Sequence, residues 1–158
     1  MSSQAFRELD EAAEVELAAV KLLTVREQSR HELRRKLKSR RADPDLVDSV
    51  LDDLERRGLL SDERFTEAYV GQRSRKGYGP LRIRAELSER GIGHEIAAHW
   101  LDEGPYDWGE VLTQAAVRKF GETPVVDMRA LAKRGRFLEQ RGFPLSLVRR
   151  YLDQVRDF

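Results

Sequence analysis

The sequence repeats itself at an interval of about fifty residues, and most of the coincident positions are apolar. Moving the chain by 50 places brings Leu33 onto Ile83 and Leu37 onto Leu87 without a gap. A further shift of 51 brings Leu138 onto Leu87. Apolar residues that recur in this way at helical spacing indicate a shared packing scheme. The chain therefore consists of three related units.

Each unit is predicted to contain three helices. Apolar residues recur three and four positions apart, and no stretch alternates between apolar and polar residues as a strand would. Ser29, Asp43 and Ser61 are predicted helix N-caps, whereas Gly58 and Gly91 are predicted helix stops. Leu, Ala, Arg and Glu are frequent while the chain has only 5 Pro, a composition typical of helical proteins.

A unit of fifty residues is too small to bury its apolar faces alone, so neighbouring units should stack. We predict an all-α fold of three tandem three-helix repeats of about 50 residues, stacked into an elongated curved array. The predicted divisions are an acidic N-terminal tail at 1–14 and repeats at 15–60, 61–106 and 107–158. The third repeat is the least regular, because its alignment needs an insertion around 121–127.

The composition argues against several classes of function. The chain has no cysteine, which excludes disulfides, thiolate zinc sites and cysteine nucleophiles. The two imidazoles of His94 and His99 are five positions apart, about 140° around a helix, and cannot grip one metal ion. The sequence shows neither a secretory signal nor an apolar run long enough for a membrane span. We therefore expect a cytoplasmic protein with no membrane segment that is not an enzyme and that binds no metal or cofactor.

The formal net charge of +1 hides a segregation of charge along the chain. Residues 26–41 carry eight bases against two acids, whereas residues 43–55 carry six acids and no base. Basic stretches recur in the second and third units. If the units stack in register, these bases line one surface that would bind a polyanion or an acidic protein groove. The alternative is that each base simply pairs with acids on a neighbouring helix.

The candidate residues for partner or DNA binding are one aromatic residue and the basic residues of the three middle helices and their neighbours. They are Arg30, Arg34, Arg35, Lys38, Arg41, Arg73, Arg75, Lys76, Tyr78, Arg82, Arg84, Lys133, Arg134 and Arg136. Tyr78 lies between two glycines, where its ring could stack on a nucleic-acid base, dock on a protein or pack within its own loop.

Three ordered segments of the second unit carry a family resemblance. They are LLSDERF at 59–65, RSRKGYGP at 73–80 and RIRAEL at 82–87, closed by Gly91 and Ile92. Together they strongly resemble the RecX family, whose members regulate the RecA recombinase, and the likeness extends from Leu22 to Leu152. The resemblance implies a crescent of three repeats that lies in the helical groove of the RecA–DNA filament. There it would block filament extension, ATP hydrolysis and strand exchange.

The expected partners are therefore the RecA recombinase filament and single- and double-stranded DNA, with the chain itself a monomer. Two other classes of function stay open. A stand-alone DNA-binding module of the helix-turn-helix kind would also have three-helix units with a basic middle helix. A structural adaptor for an unrelated protein would have no effect on a recombinase. The residues alone support these two classes about equally. The family resemblance is what favours the RecX function over both.

Overall fold

The computed structural model describes residues 2–38 and 42–158, and within these ranges the secondary structure consists of nine α-helices. They are α1 (Ser3–Val25), α2 (Arg30–Lys38), α3 (Pro44–Arg56), α4 (Asp62–Arg75), α5 (Pro80–Glu89), α6 (His94–Leu101), α7 (Trp108–Phe120), α8 (Met128–Gln140) and α9 (Leu145–Val155). In each group of three consecutive helices, every helix contacts the other two. The predicted all-α chain of three tandem three-helix repeats is confirmed.

The helix ends follow from local sequence. The Ser61 hydroxyl accepts a hydrogen bond from the backbone N–H of Arg64 at 3.1 Å, and the Ser29 hydroxyl accepts one from Glu32 at 3.1 Å. Each bond satisfies an N–H that a helix leaves unpaired at its start. Gly58 follows α3 with a φ of 73°, a left-handed conformation that glycine adopts without steric cost. These three predicted helix ends are confirmed.

Each repeat has its own apolar core, and equivalent positions of the repeat occupy equivalent places in it. The leucines and isoleucine that coincide in the sequence are all buried, with at most 1% of their surface exposed: Leu33, Leu37, Ile83, Leu87 and Leu138. Full burial of one such side chain contributes roughly 1.5–3 kcal/mol to folding. The middle helix of each repeat is thus fixed by its buried face, and its basic residues other than Arg134 are directed elsewhere.

The segment predicted as an acidic N-terminal tail belongs to a long helix. Ser2 is the N-cap of α1, and its hydroxyl accepts a hydrogen bond from Ala5 N at 3.3 Å. The helix then continues to Val25, so no break separates the acidic segment from the first repeat.

The third repeat differs from the others where the sequence needed an insertion. The backbone of Val125, in the loop between α7 and α8, pairs with the C-terminal segment. Its N–H donates to Val155 O at 2.8 Å, and its carbonyl accepts from Asp157 N at 2.8 Å. Val125 is buried, with 2% of its surface exposed, so the inserted loop packs against the C-terminal segment.

None of the helices in the described ranges is both long enough and apolar enough to cross a membrane.

Candidate functional site

Two of the predicted basic residues of α2 are bound by the acidic face of α3. Arg30 forms ion pairs with Asp52 at 2.7 Å and Glu55 at 2.8 Å, and Arg34 pairs with Asp48 at 3.0 Å. Partial burial would lower the pKa of Arg30, but the hydrogen bonds to Glu55 and Asp52 outweigh it and raise the pKa above its usual value. For these two arginines the structure supports the pairing alternative rather than a free basic stripe.

The other predicted residues of α2 have no such partners. Arg35 and Lys38 are exposed, and neither makes an ion pair with any residue in the described part of the chain. Arg41, the last predicted member of the stripe, lies outside the described residues. The free charge of this helix is therefore smaller than the sequence indicates.

In the second repeat, Tyr78 is enclosed by arginines. Arg73 lies 3.7 Å from the centre of the Tyr78 ring, and Arg82 and Arg141 each lie 4.5 Å from it. Such cation–π contacts are favourable by about 0.5–1 kcal/mol or more each. The ring therefore packs among arginines of α4, α5 and the third repeat, and its contacts favour this structural role over stacking on a nucleic-acid base.

Arg73 is also bound to a carboxylate that the sequence did not single out. Its guanidinium donates two hydrogen bonds to Glu86 Oε1, at 2.9 and 3.1 Å, and only 17% of its side chain is exposed. Tyr69 donates a hydrogen bond to the other Glu86 oxygen at 3.0 Å. Burial and the nearby Glu86 carboxylate raise the pKa of Tyr69 to about 12. This network joins α4 to α5 and is a structural element of the second repeat.

Three more predicted residues belong to the second repeat. Arg84 pairs with Asp102 on the end of α6, at 2.6 Å. Arg75 and Lys76, at the end of α4, are exposed and make no ion pair within the described ranges.

Arg134 was predicted as a surface residue, and this prediction is wrong. Only 8% of its surface is exposed. Its guanidinium donates hydrogen bonds to the Tyr151 hydroxyl at 3.0 Å and to the Thr123 carbonyl at 2.9 Å, and it lies 5.2 Å from the Phe120 ring. The side chain ties the inserted loop and α9 to α8. Its neighbours Lys133 and Arg136 are exposed, as predicted.

Sequence reasoning missed three cations that gather around Lys76 in the structure. They are Arg118 and Lys119 at the end of α7 and Arg141 after α8. With Lys76, Ala115 and Phe137 they line a cleft of about 230 Å³ between the second and third repeats, called here the junction cleft. Arg141 could have been found, because the 51-residue shift places it on Arg90. Arg118 and Lys119 gave no such signal, because the insertion puts α7 out of register.

The two junctions between repeats are built alike. At the first, the Ser29 hydroxyl donates to the Arg90 carbonyl at 2.8 Å. At the second, Gly79, which coincides with Ser29 in the repeat, donates its backbone N–H to the Arg141 carbonyl at 2.7 Å. The start of one middle helix thus contacts the end of the next repeat's middle helix in both places.

The charges of the third repeat are not paired. Residues 107–158 contain ten Lys and Arg and seven Asp and Glu. The structure describes all of these residues, and none of their basic side chains forms an ion pair with a carboxylate. The first two repeats, by contrast, contain all the ion pairs found in the described ranges.

Family models match each unit separately. The RecX first three-helix domain matches residues 17–54, the second matches 61–101 and the third matches 107–152. A relative from Pseudomonas savastanoi pv. phaseolicola, named Regulatory protein RecX, is 45% identical over 144 residues, which are 91% of this chain and 93% of the relative. The chain belongs to the RecX family. A second RecX relative, from Pseudomonas fluorescens strain Pf-5, is 42% identical over the same shares of the two chains.

Solved RecX structures share the fold. The crystal structure of RecX from Lactobacillus salivarius has a TM-score of 0.76 at 20% identity, over 93% of this chain and 97% of that one. A second crystal structure, of regulatory protein RecX, has a TM-score of 0.74 at 22% identity, over 93% of this chain and 75% of that one. The three-repeat architecture of this RecX family member therefore persists where most of the sequence differs.

Proposed function

We propose that this chain regulates the RecA recombinase by binding in the helical groove of the RecA–DNA filament, where it inhibits ATP hydrolysis, filament extension and strand exchange. The observation that carries the proposal is RecX family membership over nearly the whole chain, at 45% identity to a protein named Regulatory protein RecX. The RecX resemblance implies the recombinase as the partner and the groove as the place of binding.

The architecture supports a partner that is itself a repeating polymer. Three related units follow one another, and equivalent hydrogen bonds join them at Arg90 and Arg141. A ligand of this kind can contact several recombinase subunits at once, so many weak contacts add to a high overall affinity. The free cations of α2, Arg35 and Lys38, are the first-repeat residues best placed to contribute.

The experiment is a titration of this protein into the cognate recombinase while its DNA-dependent ATPase rate is followed. We expect inhibition well below one molecule per recombinase subunit, because one bound regulator affects a stretch of filament. The double variant R35A/K38A should inhibit less. The variant R7A/K21A is its matched control, since it removes two exposed α1 cations that make no ion pair in the described ranges.

Absence of inhibition at a stoichiometric excess, with the helical content confirmed by circular dichroism, would contradict the proposal. The second candidate would then be a stand-alone DNA-binding module. The unpaired cations of the third repeat favour that candidate. It predicts tight binding to free DNA that weakens steeply with salt, whether or not recombinase is present.

A further inference from the structure

Among the described residues, four cations and no acid line the junction cleft. Lys76 comes from the second repeat, whereas Arg118, Lys119 and Arg141 come from the third. Within the described ranges, none of the four forms an ion pair with a carboxylate. Like charges held close together cost free energy unless something compensates them.

The cleft is held together by backbone carbonyls at the end of α4. Arg118 Nη1 donates to Arg75 O at 2.8 Å, and Arg141 Nη1 donates to Lys76 O at 3.0 Å. The last carbonyls of a helix are unpaired and carry its negative dipole end, so they stabilise cations there. A guanidinium has five N–H donors. Both arginines are therefore fixed in place with donors left for a ligand.

The equivalent place at the first junction contains carboxylates. There Glu32 lies between two arginines, 3.0 Å from Arg26 and 3.6 Å from Arg90. A second carboxylate, Glu89, lies 4.0 Å from Arg90. These acids pair with Arg26 and Arg90, which are two of the four cations that line the first junction, the others being Arg35 and Lys36.

Neither of these carboxylates has an acidic counterpart at the aligned position of the second junction. Under the shifts of 50 and 51 residues, Arg82 stands where the first junction has Glu32, and Gln140 stands where it has Glu89. Lys76 and Arg141 likewise coincide with the two arginines that those acids bind. One molecule thus contains the same junction twice, once with two carboxylates that pair with its arginines and once with neither carboxylate.

Exposed cations continue from the cleft along α8. Arg129, Lys133 and Arg136 are exposed and make no ion pair in the described ranges. Spacings of four and three residues place them on one face, about 6 and 4.5 Å apart along the helix axis. Phe137 and Arg141 follow on the adjoining face, so the row leads to the cleft.

We propose that the junction cleft binds the phosphates of single-stranded nucleic acid, with the α8 row holding the strand as it leaves. Two features favour nucleic acid over an acidic peptide. A guanidinium fork matches the geometry of phosphate oxygens. The half-buried Phe137 ring gives the cleft an aromatic wall, and single-strand binding sites combine cations with such rings. The site extends the proposed function but does not depend on recombinase binding.

The test is binding of a fluorescein-labelled oligothymidylate of about 20 nucleotides, without recombinase, followed by anisotropy at several salt concentrations. The variant K76A/K119A removes two cleft cations whose side chains donate no hydrogen bond to any described residue. We expect roughly tenfold weaker binding at low salt and a salt slope smaller by about 1.4, because each phosphate contact on a single strand contributes about 0.7. R7A/K21A makes the same charge change far from the cleft and should leave the slope unaltered.

A third variant, Q140E, adds a carboxylate beside Arg141 and removes no cation. It should weaken oligothymidylate binding as well, which a loss of packing would not explain. Equal affinities of the wild type and K76A/K119A, or equal losses in the R7A/K21A control, would overturn the proposal. So would cleft-dependent binding of poly-glutamate with no cleft-dependent binding of the oligonucleotide.

The same variants are then assayed for recombinase ATPase inhibition. Cleft-dependent binding of oligothymidylate in a protein that never inhibits recombinase would support the cleft and contradict the proposed function. Inhibition of recombinase by the wild type, with no cleft-dependent binding of oligothymidylate, would support the proposed function and contradict the cleft.

Discussion

Lys133, Arg134 and Arg136 are neighbours on α8, and only Arg134 is buried. Arg134 lies three positions after Leu131 and four before Leu138, so the helical period places it on the buried face between them. Lys133 and Arg136 point away from that face and are exposed. The helical period alone therefore predicts that Arg134 is buried, whereas grouping the three residues by charge predicts that all are exposed. A buried arginine is tolerated here because the Tyr151 hydroxyl and the Thr123 carbonyl accept hydrogen bonds from its guanidinium.

Replacing Arg134 by alanine should therefore cost stability rather than binding. The change leaves the Thr123 carbonyl and the Tyr151 hydroxyl without their charged donor, and we expect a loss of about 3 kcal/mol in the free energy of unfolding. Urea denaturation followed by circular dichroism measures it. R136A, two positions along the same helix, should change stability by no more than about 0.5 kcal/mol. Similar losses in the two variants would contradict the buried role of Arg134.

Helix boundaries could be predicted from the sequence because their causes are local. The N-cap side chains of Ser29 and Ser61 bond to N–H groups three residues away, and Gly58 needs only its own backbone freedom. The pairing of the bases could not be predicted, because it depends on which helices meet. Arg30 is 22 residues from Asp52, and it was the packing of α2 against α3 that brought them to 2.7 Å.

At the junctions, glycine allows two helix ends to approach. Gly142 follows α8 with a φ of 93°, and a Cβ atom there would lie 2.5 Å from the backbone N of Arg82. Gly58 follows α3 with a similar φ of 73° and has open space around its Cβ position. Both positions therefore require a positive φ, and only Gly142 lies in close contact with another part of the backbone.

Alanine variants of these two glycines distinguish the cost of a positive φ from the cost of a steric clash between two repeats. G58A should lose about 1 kcal/mol, because alanine is strained at positive φ. G142A should lose roughly 3 kcal/mol or more, because the contact with Arg82 adds overpacking to that strain. The free energies of unfolding of both variants, measured in urea, give the comparison. Equal losses would show that the close approach of the second and third repeats contributes nothing to stability.

Across the whole molecule, the repeat keeps its apolar positions and changes its charges. Leu33, Ile83 and the other core residues stay apolar because each repeat must bury the same face. Surface charges face no such constraint, so Glu32 in one repeat can become Arg82 in the next. Residues 1–106 carry 19 bases against 21 acids, whereas residues 107–158 carry ten bases against seven acids, so the near-zero net charge of +1 conceals a cationic third repeat. Net charge is therefore a poor guide to where this chain would hold a polyanion.

The first junction offers the converse of the cleft experiment. In the variant E32Q/E89Q, glutamines replace the two carboxylates and leave Arg26 and Arg90 without their acids, while the glutamine side chains keep most of the volume and polarity. If those carboxylates are what keeps the first junction from holding an anion, the variant gains a second cleft that has four cations and no carboxylate. We expect oligothymidylate to bind several-fold more tightly at low salt, with a salt slope larger by about 0.7–1.4. The same anisotropy titration measures this gain in affinity. If the variant has normal helical content and an unaltered affinity, the carboxylates of a junction do not decide whether that junction binds nucleic acid.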